Sequence, residues 1–176
     1  MIWLDGLDLP LTHSLHAVFA EFPSPGSALP AAYPHSLPSS HLFPYSEMRR
    51  NLEARRAAPG DPFDDVIIEY RNRETGGPVM PTIAAAMQLL RSGVRTRAHR
   101  HTHSVVYHVI AGCGTSIIAG QQFDWTAGDT FAIPTWAPHR HLNPTSEDAF
   151  LFSYSDEPVL DALGLSRETA IDEEHS

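Results

Sequence analysis

From residue 81 onward the chain consists of short apolar or alternating runs, most of them separated by Gly, Asp or Pro. These runs are TIAAAMQLL, TRAHRH, SVVYHVIAG, TSIIAG, QQFDW, DTFAIP and DAFLFSYSD. Short strands at regular spacing with turn residues between them are typical of an antiparallel barrel or sandwich. The pattern therefore predicts an all-β barrel over residues 81–158.

Residues 1–80 predict an N-terminal arm, because many of the 15 prolines of the chain lie between Pro10 and Pro62. Within the arm, LTHSLHAVFAEF has the spacing of a short helix, with Val18 and Phe19 on its apolar side. The run SEMRRNLEARRAA predicts a second helix, which Ser46 could cap. Strand character begins in DDVIIEY. Residues 159–176 have helical spacing at their start and predict a short C-terminal helix and tail.

Composition excludes several classes of partner. The net charge of −9 argues against nucleic acid, because phosphate binding needs a basic face. No run of 18 apolar residues exists, so we expect no membrane span. The single Cys113 rules out an internal disulfide, and the acidic N-terminus lacks the basic region of a secretory signal. We therefore expect a reducing, cytoplasmic location.

The arm also predicts self-association. It carries Trp, Leu and Phe residues in a proline-rich segment that needs a surface on which to pack. Apolar side chains in such a segment indicate a partner surface, and symmetric homo-oligomers are the commonest assemblies of soluble chains. We expect a homodimer or a larger homo-oligomer.

The histidines are concentrated in the barrel: six of the 11 lie between His99 and His141. If TRAHRH is a strand, its alternation places His99 and His101 on one face, where both can bind one metal ion. A third ligand must come from elsewhere, and His139 in GDTFAIPTWAPHRHLN follows a turn and a strand. The alternative is that the three histidines only pack or form hydrogen bonds.

These residues resemble the two cupin signatures, G-x5-H-x-H-x3,4-E-x6-G and G-x5-P-x-G-x2-H-x3-N. The positions that fit them are Gly93, His99, His101 and Gly112 in the first signature and Gly128, Pro134, His139 and Asn143 in the second. Two positions depart: Val105 stands in the glutamate place, and Trp136 stands in the place of the inner glycine. The resemblance implies a double-stranded β-helix, or jelly-roll barrel.

The valine in the glutamate place matters for the metal. Three neutral histidines leave coordination positions free and add no ligand charge. Such a metal stays electropositive, which suits an anionic bidentate substrate together with dioxygen. Ligand type alone leaves iron, manganese, nickel, copper and zinc open.

A closer resemblance covers nearly the whole chain. The segments WLDGLDLPL, YRNRETGGPVMPTI, HRHTHSVVYHVIAGCG, FDWTAGDTFAIPTWAPHRHLN and LFSYSDEPVLDALGLSRE are similar to the C-terminal half of gentisate 1,2-dioxygenase. That family includes salicylate and 1-hydroxy-2-naphthoate ring-cleaving enzymes of aromatic catabolism, which are bicupins about twice this length. The resemblance implies Fe(II) and O2-dependent cleavage of a hydroxylated aromatic acid. The carboxylate and adjacent hydroxyl of the substrate would chelate the iron.

Three further residues are candidates for contact with the substrate. His141 lies two positions after the third ligand and could bond or transfer a proton, or could be an exposed loop residue. Tyr107 stands where the family places an arginine, and it could donate a hydrogen bond or simply fill the barrel. Arg97 shares the expected strand phase of His99 and could clamp a carboxylate, or could be solvated. By the same alternation His108 points outward, and His103 falls in a turn.

The leading hypothesis is thus a ring-cleaving dioxygenase acting on gentisate or a related acid. A non-catalytic cupin that binds a metal or a small aromatic acid is the main alternative. A different metal chemistry on the same scaffold, such as isomerisation, is a third, because one fold hosts many functions.

Overall fold

The computed structural model describes residues 6, 9–15 and 42–171, and the chain divides into the units Met1–Leu42 and Phe43–Ser176. In the first unit, helix α1 spans Leu9–Ser14. The rest of the first expected helix, with Val18 and Phe19, lies outside the described residues. Across the described part of the chain, no helix has the length and hydrophobicity that crossing a bilayer would require.

The second expected helix is present as α2, which spans Tyr45–Arg55. Its predicted cap is wrong. The helix begins one residue before Ser46, and its N-cap is Pro44, which has extended backbone and makes no side-chain capping bond. Met48 and Leu52 form the buried stripe of the helix, and they pack against apolar side chains of the first sheet. A third helix, α3, spans Glu157–Ala162.

Two five-stranded antiparallel sheets follow, which confirms the all-β prediction. The first sheet has the order β1-β2-β9-β4-β7, with bounds Val66–Tyr70, Ala84–Leu90, Ala149–Ser155, Val105–Ala111 and Thr130–Ile133. The second has the order β10-β3-β8-β5-β6, with bounds Glu168–Ala170, His99–His101, His139–Leu142, Cys113–Ile118 and Gln121–Thr126.

The sheets extend beyond the expected barrel limits of residues 81 and 158. Strand β1 pairs with β2 along its whole length, as the strand character of DDVIIEY indicated. Strand β10 pairs with β3, although all three of its residues are exposed. An exposed edge strand has no apolar alternation, so no sequence pattern could distinguish it from a tail.

The barrel interior is filled by an apolar cluster drawn from both sheets. Its buried members are Leu90, Val105, Tyr107, Val109, Ile118, Trp125, Ile133, Ala149 and Leu151. Truncating a fully buried leucine such as Leu151 to Ala in such a core costs about 2–5 kcal/mol. This cluster holds the two sheets together and forms the packed base next to the histidines.

The signature positions that are not histidines have structural roles. Gly112 has φ 83°, and a Cβ atom there would lie 2.7 Å from the Cα of Ala149. Asn143 is fully buried, and its amide donates to the carbonyls of Leu90 and Glu147 at 2.9 and 2.8 Å. Gly112 thus allows the turn between β4 and β5 to approach β9 closely, and Asn143 ties the end of β8 to β2 and to the segment before β9.

Trp136 retains the left-handed backbone that its signature position requires, with φ 62°. For a residue with a Cβ this conformation costs about 1–2 kcal/mol. Two contacts offset it: the backbone N–H donates to the carbonyl of His101 at 2.8 Å, and the guanidinium of Arg100 lies 4.7 Å from the ring centroid. The turn is therefore preserved without glycine and is tied to a histidine strand.

Candidate metal centre

Strands β3 and β8 bring three expected ligands together. The two strands are antiparallel neighbours, and His99 lies directly opposite His139. His101 is on the same face as His99, two residues along the strand, and all three side chains are buried. One ring nitrogen from each lies within 4.8 Å of the others, so a single metal ion could be held by all three.

Hydrogen bonds set the tautomers of two of these rings. His101 Nδ1 lies 2.8 Å from the carbonyl oxygen of His103, and His139 Nδ1 lies 2.9 Å from that of Ala137. A carbonyl only accepts, so each Nδ1 carries the proton and each Nε2 keeps its lone pair. The Nε2 of His139 is buried and has no hydrogen-bond partner among the described residues. This is the arrangement that metal-binding histidines adopt.

His99 is held differently. The ring of Phe63 packs on it with centroids 4.5 Å apart, and its Nε2 lies 3.8 Å from a carboxylate oxygen of Glu168. Its Nδ1 is buried and unpartnered within the described part of the chain. Packing against Phe63 therefore contributes to the orientation of this ring.

The site keeps these histidines neutral. Burial lowers the pKa of His99 to about 2, and the adjacent His139 and His101 lower it further. Burial likewise lowers the pKa of His139 to about 4 and lowers that of His101. Neutral imidazole is the form that binds a metal, so the rings are ready for ligation at neutral pH.

The position of the usual cupin glutamate faces the same cavity. Val105 is buried, belongs to the barrel core and lines the cavity beside the histidines. The ligand group therefore consists of three neutral imidazoles without a carboxylate. This agrees with the charge-free donor set expected from the sequence.

His141 is fully buried, so it is not an exposed loop residue. Its ring centroid lies 5.9 Å from that of His139, but its nitrogens are outside the three-histidine group. Its Nδ1 lies 2.8 Å from Ser116 Oγ, which also accepts the indole N–H of Trp125 at 2.9 Å. Burial lowers the pKa of His141 to about 3, and His139 and His101 contribute.

Tyr107 is buried and lines the cavity. Its ring lies edge-on to His141 with centroids 5.1 Å apart, and it stacks on Phe131 at 5.1 Å. Burial raises the pKa of Tyr107 well above its ordinary value, and the nearby Asp64 carboxylate raises it further. The phenol is therefore protonated and can act as a hydrogen-bond donor.

Arg97 does not share the face of His99, so that part of the sequence interpretation is wrong. Strand β3 begins only at His99, and Ala98 and His99 are both buried, so the alternation breaks between them. The side chain of Arg97 is exposed, with its guanidinium 5.8 Å from the centroid of Phe63. The Arg97 side chain therefore contacts Phe63, and Phe63 in turn packs on His99.

A cavity of about 550 Å³ opens at the histidines. Its walls include the small side chains of Ala84, Ala86 and Ser153 from the first sheet. This volume lies within the range of pockets for small organic ligands. A single-ring acid can be accommodated beside the candidate metal centre.

The sequence reasoning missed the acids that line this cavity, which include Asp64, Glu157 and Glu168. Burial raises the pKa of Asp64 to about 7, with Asp61 adding to the shift. Burial also raises the pKa of Glu157 and of Glu168. The raised pKa values reduce the negative charge that an anionic ligand would meet.

His103, for which the sequence predicted only a place in a turn, also lies at the site. Its ring lies flat against that of His101, with centroids 3.6 Å apart and planes 5° apart, and it lines the cavity. The extra histidine after the H-x-H pair was the available indication. His108 points away as expected, and its Nδ1 lies 3.1 Å from Thr130 Oγ1.

Comparison with known proteins places these features in context. Residues 86–154 match the family described as Cupin domain. The chain is 40% identical to a 5-aminosalicylate 1,2-dioxygenase from Comamonas sp, over 97% of this chain and 50% of that protein. It is 38% identical to gentisate 1,2 dioxygenase 1 from Aquipseudomonas alcaligenes, over 96% of this chain and 54% of that protein.

A solved structure agrees with these sequence relatives. Salicylate 1,2-dioxygenase from Pseudaminobacter salicylatoxidans superposes with a TM-score of 0.75 at 26% identity, covering 93% of this chain and 53% of that one. The chain thus spans about half the length of the relatives it matches.

Proposed function

The chain belongs to the cupins and corresponds to the C-terminal half of gentisate-type ring-cleaving dioxygenases, and from this we propose that its three-histidine centre serves O2-dependent ring cleavage. The substrate would be gentisate or a related hydroxylated aromatic acid. One observation carries the proposal: three buried imidazoles lie close enough to share one metal, and two of them, His99 and His101, line a cavity of ring-acid size.

His99, His101 and His139 would hold the metal, for which we propose Fe(II). The donor set fits, because one ring nitrogen from each histidine lies within 4.8 Å of the others, and the buried Nε2 of His139 has no hydrogen-bond partner among the described residues. Bound iron would supply a Lewis-acidic, redox-active centre for dioxygen and for the substrate's oxygens. Other divalent metals share this ligand preference, so metal analysis is part of the test.

The residues around the centre would bind and orient the substrate. Val105 and the alanines of β2 offer apolar contact to an aromatic ring. His141 and Tyr107 would address the substrate's oxygens, with the protonated phenol donating a hydrogen bond. Arg97 would act indirectly, by holding Phe63 against His99.

The acidic side chains that line the cavity affect which aromatic acid can bind as substrate. Asp64, Glu157 and Glu168 can accept hydrogen bonds from a ring hydroxyl or amino group, and their raised pKa values limit repulsion of a substrate carboxylate. A relative named for 5-aminosalicylate makes that acid a candidate beside gentisate.

We also propose a homo-oligomer, since large apolar side chains such as Phe123 and Leu163 are exposed.

The test is oxygen uptake by the chain after anaerobic loading with Fe(II). Gentisate, salicylate, 5-aminosalicylate and 1-hydroxy-2-naphthoate are supplied in turn, and the ring-opened product is followed by absorbance. We expect turnover with at least one acid and none in His101→Ala, while His108→Ala, on the outer face, retains it. A metal-replete protein that consumes no oxygen with any of the four would overturn the proposal. If it still bound an acid, that result would favour the non-catalytic cupin.

A further inference from the structure

Behind the candidate metal centre, three buried side chains form a hydrogen-bonded row across the second sheet. Trp125 on β6, Ser116 on β5 and His141 on β8 are at most 3% exposed. Ser116 pairs directly with His141 in the ladder. Trp125 crosses Gly114, where a Cβ atom would lie 2.5 Å from the indole. The indole is therefore fixed with its N–H directed at Ser116.

The direction of the hydrogen bonds in this row follows from the donors. An indole N–H can only donate, so Ser116 Oγ accepts from Trp125 at 2.9 Å. The serine hydroxyl still has one proton to donate. Among the described residues, its other side-chain partner is His141 Nδ1 at 2.8 Å. A buried hydroxyl proton is normally hydrogen-bonded, so the Ser116 hydroxyl donates to His141 Nδ1.

In a neutral imidazole, one nitrogen donates and the other accepts. An accepting Nδ1 places the ring proton of His141 on Nε2. That nitrogen is buried and unpartnered in the described part of the chain, and the ring lies between Tyr107 and His139. His139 has the opposite tautomer, because its Nδ1 donates to a carbonyl.

We infer that Ser116 and Trp125 are positioning residues that lock His141 as a hydrogen-bond donor and so prevent it from becoming a fourth metal ligand. A hydrogen-bond donor beside His139 and Tyr107 would bind a substrate oxygen, whereas a lone pair there would compete for the metal. The role toward substrate rests on the proposed function, but the tautomer itself does not.

The primary experiment measures ¹⁵N imidazole spectra of the metal-free full chain, with His141 assigned through His141→Gln. We expect a protonated Nε2 for His141 and a protonated Nδ1 for His139. Trp125→Phe keeps an aromatic ring but removes the N–H, so the hydroxyl becomes free to accept and His141 should become a mixture of tautomers. Ser116→Ala should also lose the preference, and Ser116→Thr should restore it. His139 is the internal control, and its tautomer should not change.

Two outcomes would overturn the inference. One is a wild-type His141 that carries its proton on Nδ1, a result that needs no variant to fold. The other is a His141 tautomer unchanged in both Trp125→Phe and Ser116→Ala, since the row would then not set it. Because these spectra involve no turnover, they are informative even if ring cleavage fails.

A kinetic measurement extends the test to the loaded protein. Removing such a supporting partner typically costs about 10- to 100-fold in activity or metal affinity. In Ser116→Ala we expect kcat to fall by that factor while metal content stays stoichiometric, with recovery in Ser116→Thr. An unchanged kcat in Ser116→Ala despite an altered tautomer would remove the assignment to substrate binding and leave the tautomer assignment intact.

Discussion

The tripeptide His-Arg-His occurs twice in this chain, at residues 99–101 on β3 and at 139–141 on β8, and the two strands are neighbours. Both copies bury their histidines on one face. In the first copy both imidazoles belong to the three-histidine group, whereas in the second only His139 does. The same sequence on paired strands therefore has two different outcomes.

The difference comes from what lies behind each ring. His101 and His139 face backbone carbonyls, which leave Nε2 as a lone pair suited to a metal. His141 faces a serine hydroxyl that already accepts from an indole. Strand alternation accounts for the burial of all four rings, whereas the position of each ring nitrogen and its hydrogen-bond partner distinguish His141 from His101 and His139.

The largest expected effect separates the two histidines of the second copy. His139→Ala should weaken Fe(II) or Zn(II) binding by more than about 100-fold, since it removes a ligand and not merely a supporting contact. His141→Ala should change affinity by less than about tenfold. Competition with a chromophoric chelator measures both. Equal losses in the two variants would mean that His141 is also a ligand.

The second effect concerns catalysis by the loaded chain. His141→Ala should lower the rate of ring cleavage by about 100-fold or more, because a positioned proton donor contributes about that much. Metal content should remain stoichiometric, which distinguishes this variant from His139→Ala. Oxygen uptake and metal analysis on the same sample check the two statements. A variant with a normal rate would assign His141 a purely structural role.

The third effect is acid destabilisation of the metal-free protein, to which both copies contribute. The folded pKa values of His99, His139 and His141 are lowered to about 2, 4 and 3, below an ordinary value of 6.5. Below pH 6.5 these histidines bind protons in the unfolded chain but not in the folded chain. The free energy of unfolding is therefore retained above pH 6.5 and falls as the pH drops toward 4. Each such histidine contributes about 1 kcal/mol per pH unit.

Urea unfolding at several pH values between 7.5 and 5 measures this slope. His141→Gln should reduce it by the share of one histidine, and His139→Gln should do the same. Asp64 acts in the opposite direction, because its pKa is raised to about 7 and the folded chain takes up its proton first as the pH falls. A wild-type slope that neither histidine variant reduces would therefore contradict the neutral, buried state of the rings.

The smallest expected effect concerns the support of the first copy. The ring of His103 stacks on His101, so His103→Ala should loosen the ligand and lower metal affinity by about tenfold. His103→Phe keeps a flat ring and should stay close to wild type. If the Phe variant were as weak as the Ala variant, a nitrogen of His103 and not its stacking would be responsible. Chelator competition again provides the measurement.

Strand alternation and signature spacing were sufficient to predict the barrel and the grouping of His99, His101 and His139. Both patterns are local, since a strand three residues long already fixes which side chains share a face. The interpretation of Arg97 failed because it extended this alternation beyond the beginning of β3. Where a strand begins depends on its neighbours, which a single sequence does not specify.

The remaining cavity residues could not be found by any local rule. Asp64 and Glu168 reach the site because the segments before β1 and at β10 fold against the histidine strands. The contact between Ser116 and His141 joins residues of two paired strands through side chains of ordinary type. Only the tertiary fold reveals such partners, because neither residue is unusual in its own segment.

The sparse pairing of β3 with β8 has a consequence for folding. Within the described residues these strands share one regular pair, His99 with His139, which are 40 positions apart in the sequence. A metal bound there would close that long loop, and its binding energy would offset the chain entropy lost on closure. Chelation should therefore release this end of the barrel first. The amide protons of β3 and β8 would exchange with solvent while those of β4 and β9 remain protected.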